Sequence, residues 1–283
     1  MKFVCLPHAT EKDWEAFGKG EPEALVEEWF AYDAKLRKDG HWLAGGNALQ
    51  SARTAKTLRW KNGKVIVTDG PFAETKELLG GFGMLEAGDM EHAVELMSKH
   101  PAIRLGVVEI RPVNEESLQA RRQWEESPEG RTVAAAAAPS APAAAASGPA
   151  KTRRFACLGY VQEGNWDTIS PSEREAMMAE VVAFDMARRK SGHWISGVGL
   201  EGAGTAKTLR STSGKVIVTD GPYAETKEQL GGVVVNAIED MNRAVELLSG
   251  HPALRFGVVI EIRPVDEDMK ARWDARKARI NRR

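Results

Sequence analysis

The chain repeats itself, and the repeat dictates its architecture. TAKTLR occurs at 54–59 and 205–210, and GKVIVTDGP at 63–71 and 214–222. AETKE follows at 73–77 and 224–228, AVEL at 93–96 and 244–247, and EIRPV at 109–113 and 261–265. Earlier residues match as well: Phe3 and Cys5 with Phe155 and Cys157, Trp14 with Trp166, Asp33 with Asp185, and GHW at 40–42 with 192–194. The offset is 152 early, 151 in the middle and 152 at the end, so one loop is shorter and the last strand region longer in the second copy. An added strand residue predicts a bulge there. A solenoid needs about three repeats, so two copies predict two like units instead.

The first unit with its charged tail takes residues 1–126 and the second, with a basic tail, 153–283. Between them, 127–152 carries AAAAAPSAPAAAASGPA. Pro139, Pro142 and Pro149 interrupt the alanine run, and without large side chains to bury it reads as a tether. Composition narrows the function. A formal net charge of −1 offers no global attraction for nucleic acid or an anionic membrane. No apolar run approaches the ~18 residues that span a bilayer. Two cysteines, Cys5 and Cys157, are too few for a disulfide framework or a structural zinc site. They sit in apolar strands and read as buried and inert. The expected setting is the reducing cytoplasm, with no metal and no cofactor.

Within one copy, residues 2–6 form a short apolar strand. A helix follows. In the second copy Ser170-Pro171-Ser172-Glu173 is a capping box with proline at the first helical position; in the first copy Pro22 plays that part. Leu25, Val26, Trp29, Phe30 and Leu36 supply its apolar stripe. Asp33 and Asp185 on this helix are expected on a solvated face. Thr54–Trp60 and Lys64–Asp69 flank Asn62-Gly63, a strong hairpin signal, and Ser213-Gly214 stands in the second copy. Residues 78–87 form a strand, Asp89 caps a second helix, and a last strand ends the unit. His100 and His251 read as helix-end caps. The class is α+β: two ferredoxin-like units with both helices on one sheet face. The bare sheet face needs cover, which predicts sheet on sheet in an intramolecular pseudo-dimer; pairing across chains as a homo-oligomer is the alternative.

VTDGPFAETKELLGGF and VTDGPYAETKEQLGGV resemble the signature of the YCII-related, or DGPF-domain, family, and the likeness runs through nearly all of both copies. The resemblance implies a fold of the dimeric α/β-barrel type and a pocket holding a His–Asp pair proposed as catalytic. It also implies action on small aromatic or lactone-like molecules in a few relatives, and partnership with sigma factors in some. Two places depart from the family pattern. Asn47 stands where relatives often carry a carboxylate, and the first copy reads CLPH where CLGY is usual.

The hairpin sets a register to check. A two-residue turn puts Lys56 opposite Asp69 and Lys207 opposite Asp220. A lysine holding a carboxylate at a pocket rim is one reading, and an ordinary cross-strand ion pair the other. His41 and His193 open the second strand of each copy. If that strand pairs with the hairpin, His41 meets Asp69 and His193 meets Asp220, giving a candidate catalytic pair in each pocket. Lys56, Arg59, Lys207 and Arg210 are the candidate ligand-binding residues, with the two arginines either binding a carboxylate or lining the sheet–sheet interface. The string from Glu74 to Glu77 is either a lid or a salt-bridging loop against the other copy. The function expected is a small-molecule protein with two similar pockets and cofactor-free His–Asp chemistry of isomerase, lyase or hydrolase type. A metabolite-binding or regulatory module, and a structural pseudo-dimer with vestigial sites, are the alternatives.

Overall fold

A computed structural model describes the chain except residues 21, 74, 129–130, 132–151, 163, 166–168, 270, 272–274, 276–277 and 279–283. Most of the predicted tether 127–152, together with Glu74 and Trp166, lies outside the described residues. Unit one contains β1 (Lys2–Ala9), α1 (Glu11–Lys19), α2 (Glu23–Lys38), β2 (Trp42–Ala48), β3 (Lys56–Lys61), β4 (Lys64–Asp69), β5 (Leu78–Leu79), β6 (Gly81–Glu86), α3 (Met90–Ser98), α4 (Ala102–Leu105) and β7 (Val107–Pro112), then α5 (Glu115–Glu126). Unit two contains β8 (Arg153–Gln162), α6 (Pro171–Lys190), β9 (Trp194–Gly199), β10 (Lys207–Thr212), β11 (Lys215–Asp220), β12 (Glu228–Ile238), α7 (Met241–Ser249) and β13 (Val259–Pro264).

Local signals act as read. Ser170 and Glu173 form the complete capping box of α6, and Asp89 and Asp240 cap α3 and α7 through the backbone N–H groups of His92 and Arg243. Asn62 and Gly63 both take positive φ (53° and 77°), as do Ser213 and Gly214 (50° and 76°). That is the conformation a two-residue hairpin turn needs. The register follows from it: Lys56 faces Asp69, Leu58 faces Val67, Lys207 faces Asp220 and Leu209 faces Val218. The extra residue near the end of the second copy makes no bulge. β13 pairs with β8 in unbroken register. The slack is taken up just before the strand, at Gly257, whose φ of 84° ends a short 3-10 turn.

The sheets hold a feature that the sequence reading does not contain. Each unit is ferredoxin-like in strand order, β7-β1-β6-β2 and β13-β8-β12-β9, but its hairpin does not join it. β10–β11 of unit two extend the first sheet at β7, and β3–β4 of unit one extend the second at β13. The hairpin is an insert between the second and third ferredoxin strands, exchanged between units. The crossing begins where Leu49, after β2, bridges to Val265 and Gln50 N–H donates to the Pro264 carbonyl.

Alternation then sorts each strand into two cores. Phe3, Cys5, Val108 and Ile110 face the helices of unit one, and Leu209 from the exchanged hairpin joins them. Phe155, Cys157, Ile260 and Ile262 do the same in unit two, with Leu58 as the incoming residue. Val4 and Leu6 meet Ala156, Leu158 and Val233 in a third cluster between the sheets. The sheets therefore cover each other, as a pseudo-dimer. Lys56 and Asp69 bond at the hairpin base, but the Asp69 side chain is 83% exposed. Lys56→Ala should shift the unfolding free energy by less than about 1 kcal/mol in urea denaturation. None of the described helices is long and apolar enough to cross a membrane.

Candidate functional site

The exchange separates the predicted catalytic pairs. β2 pairs with β6 in the first sheet, while Asp69 ends β4 in the second. His41 Nδ1 meets the Glu86 carbonyl oxygen at 2.9 Å, and its ring lies edge-on to His92 at 5.1 Å. Asp69 meets Lys56 instead. In unit two, His193 Nδ1 meets Ser191 Oγ at 2.7 Å and Asp220 meets Lys207. Neither His41–Asp69 nor His193–Asp220 forms. The lysines hold the carboxylates in exposed cross-strand pairs, the second of the two readings. Arg210 reaches across to Glu77 (2.6 and 3.1 Å), and Arg59 to Glu228 (3.4 Å) while lying 5.0 Å over the Phe72 ring. These arginines line the contact between units.

The signature loops have a structural task. The Phe72 amide donates to Glu261 Oε2 (2.8 Å), and the Tyr223 amide to Glu109 Oε2 (2.9 Å). The other oxygen of each glutamate accepts from a buried arginine two residues on, Arg263 or Arg111. Arg111 Nη1 then donates to the Glu201 and Leu230 carbonyls across the interface. DGP(F/Y) and EIRPV thus recognise each other between copies. They line a cavity of about 80 Å³ that both copies build from corresponding residues. Phe72 stacks on Tyr160 there at 4.2 Å, and Tyr223 lies tilted against His8 at 4.7 Å. Glu77 stays acidic: burial pulls its carboxyl upward, but hydrogen bonds from Arg210 and Tyr223 more than offset that.

A buried His–Asp pair exists elsewhere. Asp33 is 4% exposed and lies on the face of α2 that covers the sheet, against the expectation of a solvated face. Its Oδ1 is 3.1 Å from His100 Nε2, and Arg37 Nη2 lies 3.5 Å from its Oδ2. His100 does cap, since its Nδ1 accepts from the Ala102 amide at 3.0 Å. That bond fixes the tautomer. With the lone pair of Nδ1 engaged, the proton sits on Nε2 and is donated to Asp33. Three rings box the imidazole: Trp29 at 4.8 Å, Tyr32 at 5.4 Å and Trp42 at 6.2 Å. The pair opens on a cavity of about 40 Å³ between helices and sheet, walled by Trp14, Trp29, Trp42, Phe82 and Met97. Trp42 lies flat there because position 83 is glycine; a Cβ would come within 2.5 Å of its ring. The Trp42 indole N–H is buried and has no acceptor among the described residues.

Unit two has the corresponding pocket, about 260 Å³, lined by Asp185, Arg188, Trp194 and His251 among others. Here Asp185 Oδ1 bonds Arg188, and His251 Nε2 stands 4.0 Å away. Both thiols line these pockets and are poor nucleophiles. Burial, then the Asp33 charge, raises Cys5; burial takes Cys157 to about 12. Among the described residues there is no cluster that could hold a metal ion.

One signal could have located Asp33. It falls three residues after Phe30 and three before Leu36, inside the apolar stripe of α2. A carboxylate at that spacing belongs to the buried face. His100 carried no such mark, because its partner is 67 residues away.

These features define a class: a tandem pair of ferredoxin-like units locked by exchanged hairpins, each with a pocket between its helices and its sheet. A model of the YCII-related domain matches residues 1–117 and again 153–267, so the chain belongs to that family. It is similar to an uncharacterised protein of Rhizobium meliloti (strain 1021), 32% identical over 117 residues, which are 40% of this chain and 92% of that relative. Among solved structures, a chlorite dismutase from Candidatus Nitrospira defluvii aligns over 95% of this chain and 94% of its own, with 10% identity and a TM-score of 0.40. A heme-binding protein from Thermus thermophilus aligns over 96% and 94%, with 12% identity and a TM-score of 0.39. Similarity this low transfers nothing to the present chain.

Proposed function

We propose that unit one is a cofactor-free acid/base site for a small, mostly apolar cyclic carbonyl compound, with Asp33 as the base. The observation that carries this is the 3.1 Å Asp33–His100 contact inside an aromatic-walled cavity. His100 is a positioning residue: with one ring nitrogen on Ala102 N–H and the other on Asp33, it orients the carboxylate and does not shuttle protons. Asp33 takes a proton from the carbon beside the carbonyl. The electron pair moves into the carbonyl, and the enolate oxygen accepts the spare Trp42 N–H. Where the ring carries a C=C bond next to the deprotonated carbon, the enolate is a dienolate. Returning the proton to its far carbon shifts the double bond, completes an isomerisation and leaves the protein unchanged. The engagement of both imidazole nitrogens also fits the rival reading, a pocket that binds a metabolite and turns nothing over.

Turnover separates the two. Against a panel of small cyclic ketones, lactones and phenols, Asp33→Asn should cost about 10²–10⁴-fold in kcat with little change in KM. Quenching of Trp14, Trp29 and Trp42 fluorescence would report binding in the same samples. Saturable quenching with no turnover by the unaltered protein supports the metabolite-binding reading instead.

A further inference from the structure

Among the differences between the two pockets, three positions in or beside the lining stand out. With the offsets of 152 and 151, Trp29 corresponds to Val181, Leu36 to Arg188 and Leu85 to Asn236. Leu36 and Leu85 are fully buried apolar residues. Their replacements are as buried, at 3% and 0% exposure, and they bond each other: Arg188 Nη1 donates to Asn236 Oδ1 at 2.9 Å. Asn236 Nδ2 in turn donates to Cys157 Sγ at 3.1 Å. The Arg188 guanidinium is held between the rings of Phe184 and Trp194, 4.9 and 4.8 Å away. A smaller residue at 181 accompanies the larger cavity, about 260 Å³ against about 40 Å³.

Unit one demonstrates that this fold accepts a leucine pair at the two positions. Unit one keeps the buried carboxylate with leucine at both positions and meets it with His100 and Arg37, so burying that carboxylate does not by itself call for an arginine at position 188. One donor is moreover left over. Arg188 Nε is buried and has no acceptor among the described residues. An unsatisfied buried donor is costly, and a ligand oxygen would relieve it. Asp185 already balances the arginine charge. An anionic ligand would therefore bring a second negative charge beside that carboxylate, whereas an uncharged oxygen acceptor would not. The Trp194 ring, which lines the pocket, favours a flat molecule.

We infer that the second pocket recognises an uncharged planar ring bearing a carbonyl oxygen, with Arg188 Nε as the donor, and is not a second acid/base site. This rests on the reading that the helix–sheet pockets take small molecules. Asp185 is bonded to Arg188 at close range, whereas Asp33 meets its arginine, Arg37, only at 3.5 Å, so the unit-two carboxylate is the one occupied in charge recognition.

The test uses the full chain with its tryptophans labelled with nitrogen-15, and benzamide as the probe. Benzamide should shift the Trp194 indole signal saturably, assigned through Trp194→Phe, and should bind about tenfold or more tightly than benzoate or toluene. The double replacement Arg188→Leu with Asn236→Leu restores the unit-one pair. It leaves the buried Asp185 without this arginine, so the thermal midpoint is expected to fall, and it should lose about tenfold in benzamide affinity. Arg188→Lys, which keeps the charge and removes the spare donor, should weaken benzamide to a similar degree and stands in if the double variant does not fold. No shift at Trp194, equal affinity in the variants, or benzoate binding as tightly as benzamide would each overturn the inference. Failure of the Asp33 reading would leave the Trp194 result untouched, so the two proposals fail separately.

Discussion

Replacing Glu109 by alanine is expected to lower the unfolding free energy by about 3–5 kcal/mol, the largest single-residue effect anticipated outside the apolar cores. The reason is what Glu109 leaves behind. Arg111 is 1% exposed, and two of its nitrogens bond Glu109. Without the carboxylate the guanidinium keeps only its carbonyl partners, and a buried charge loses its compensation. The Tyr223 amide also loses its acceptor, which loosens the loop between β11 and β12. Glu261 holds Arg263 and the Phe72 amide in the same way, so Glu261→Ala should cost as much. Each glutamate belongs to one copy and receives a loop of the other, so the loss should lower one common urea midpoint and not split the transition. A change below about 1 kcal/mol would mean that water or a rearranged arginine replaces the clamp.

A chain cut to residues 1–126 should form a dimer. In the full chain, the outer edge of β7 is covered by β10, and Leu209 fills the core of unit one. Alone, unit one would have an open strand edge and a hairpin whose Leu58 has lost its burial site in unit two. A second copy repairs both defects by the same exchange, since the hairpins share TAKTLR and GKVIVTDGP. Light scattering after size exclusion should give twice the mass of the fragment. A folded monomer would show that the hairpin can return to its own sheet and that the exchange is dispensable.

The duplication, the hairpin turns, the caps and the register were legible because each depends on neighbours in sequence. Asn62-Gly63 sets φ locally, and Ser170 needs only Glu173. The exchange was not legible. The pattern of Lys56–Lys61 is the same whether the strand joins β7 or β13, because both edges carry nearly the same residues. That ambiguity moved the site. His41 and Asp69 would share a sheet end if the hairpin stayed at home, and the exchange puts them in different sheets. The buried His–Asp contact forms from other residues. Asp33 bore a readable mark in the α2 stripe, whereas His100 is joined to it only by tertiary packing. For Arg59 and Arg210 the sequence leaves two roles open, and the structure gives them the interfacial one.

The central claim is that Asp33 is a working base in a pocket that admits a small carbonyl compound. Exchange of the protons beside the carbonyl of cyclopentanone, followed by NMR in deuterium oxide, tests it without knowledge of the natural substrate. The unaltered protein should accelerate exchange catalytically, Lys56→Ala should match it, and Asp33→Asn should fall to the rate of buffer alone. Equal acceleration by Asp33→Asn and the unaltered protein would contradict the account.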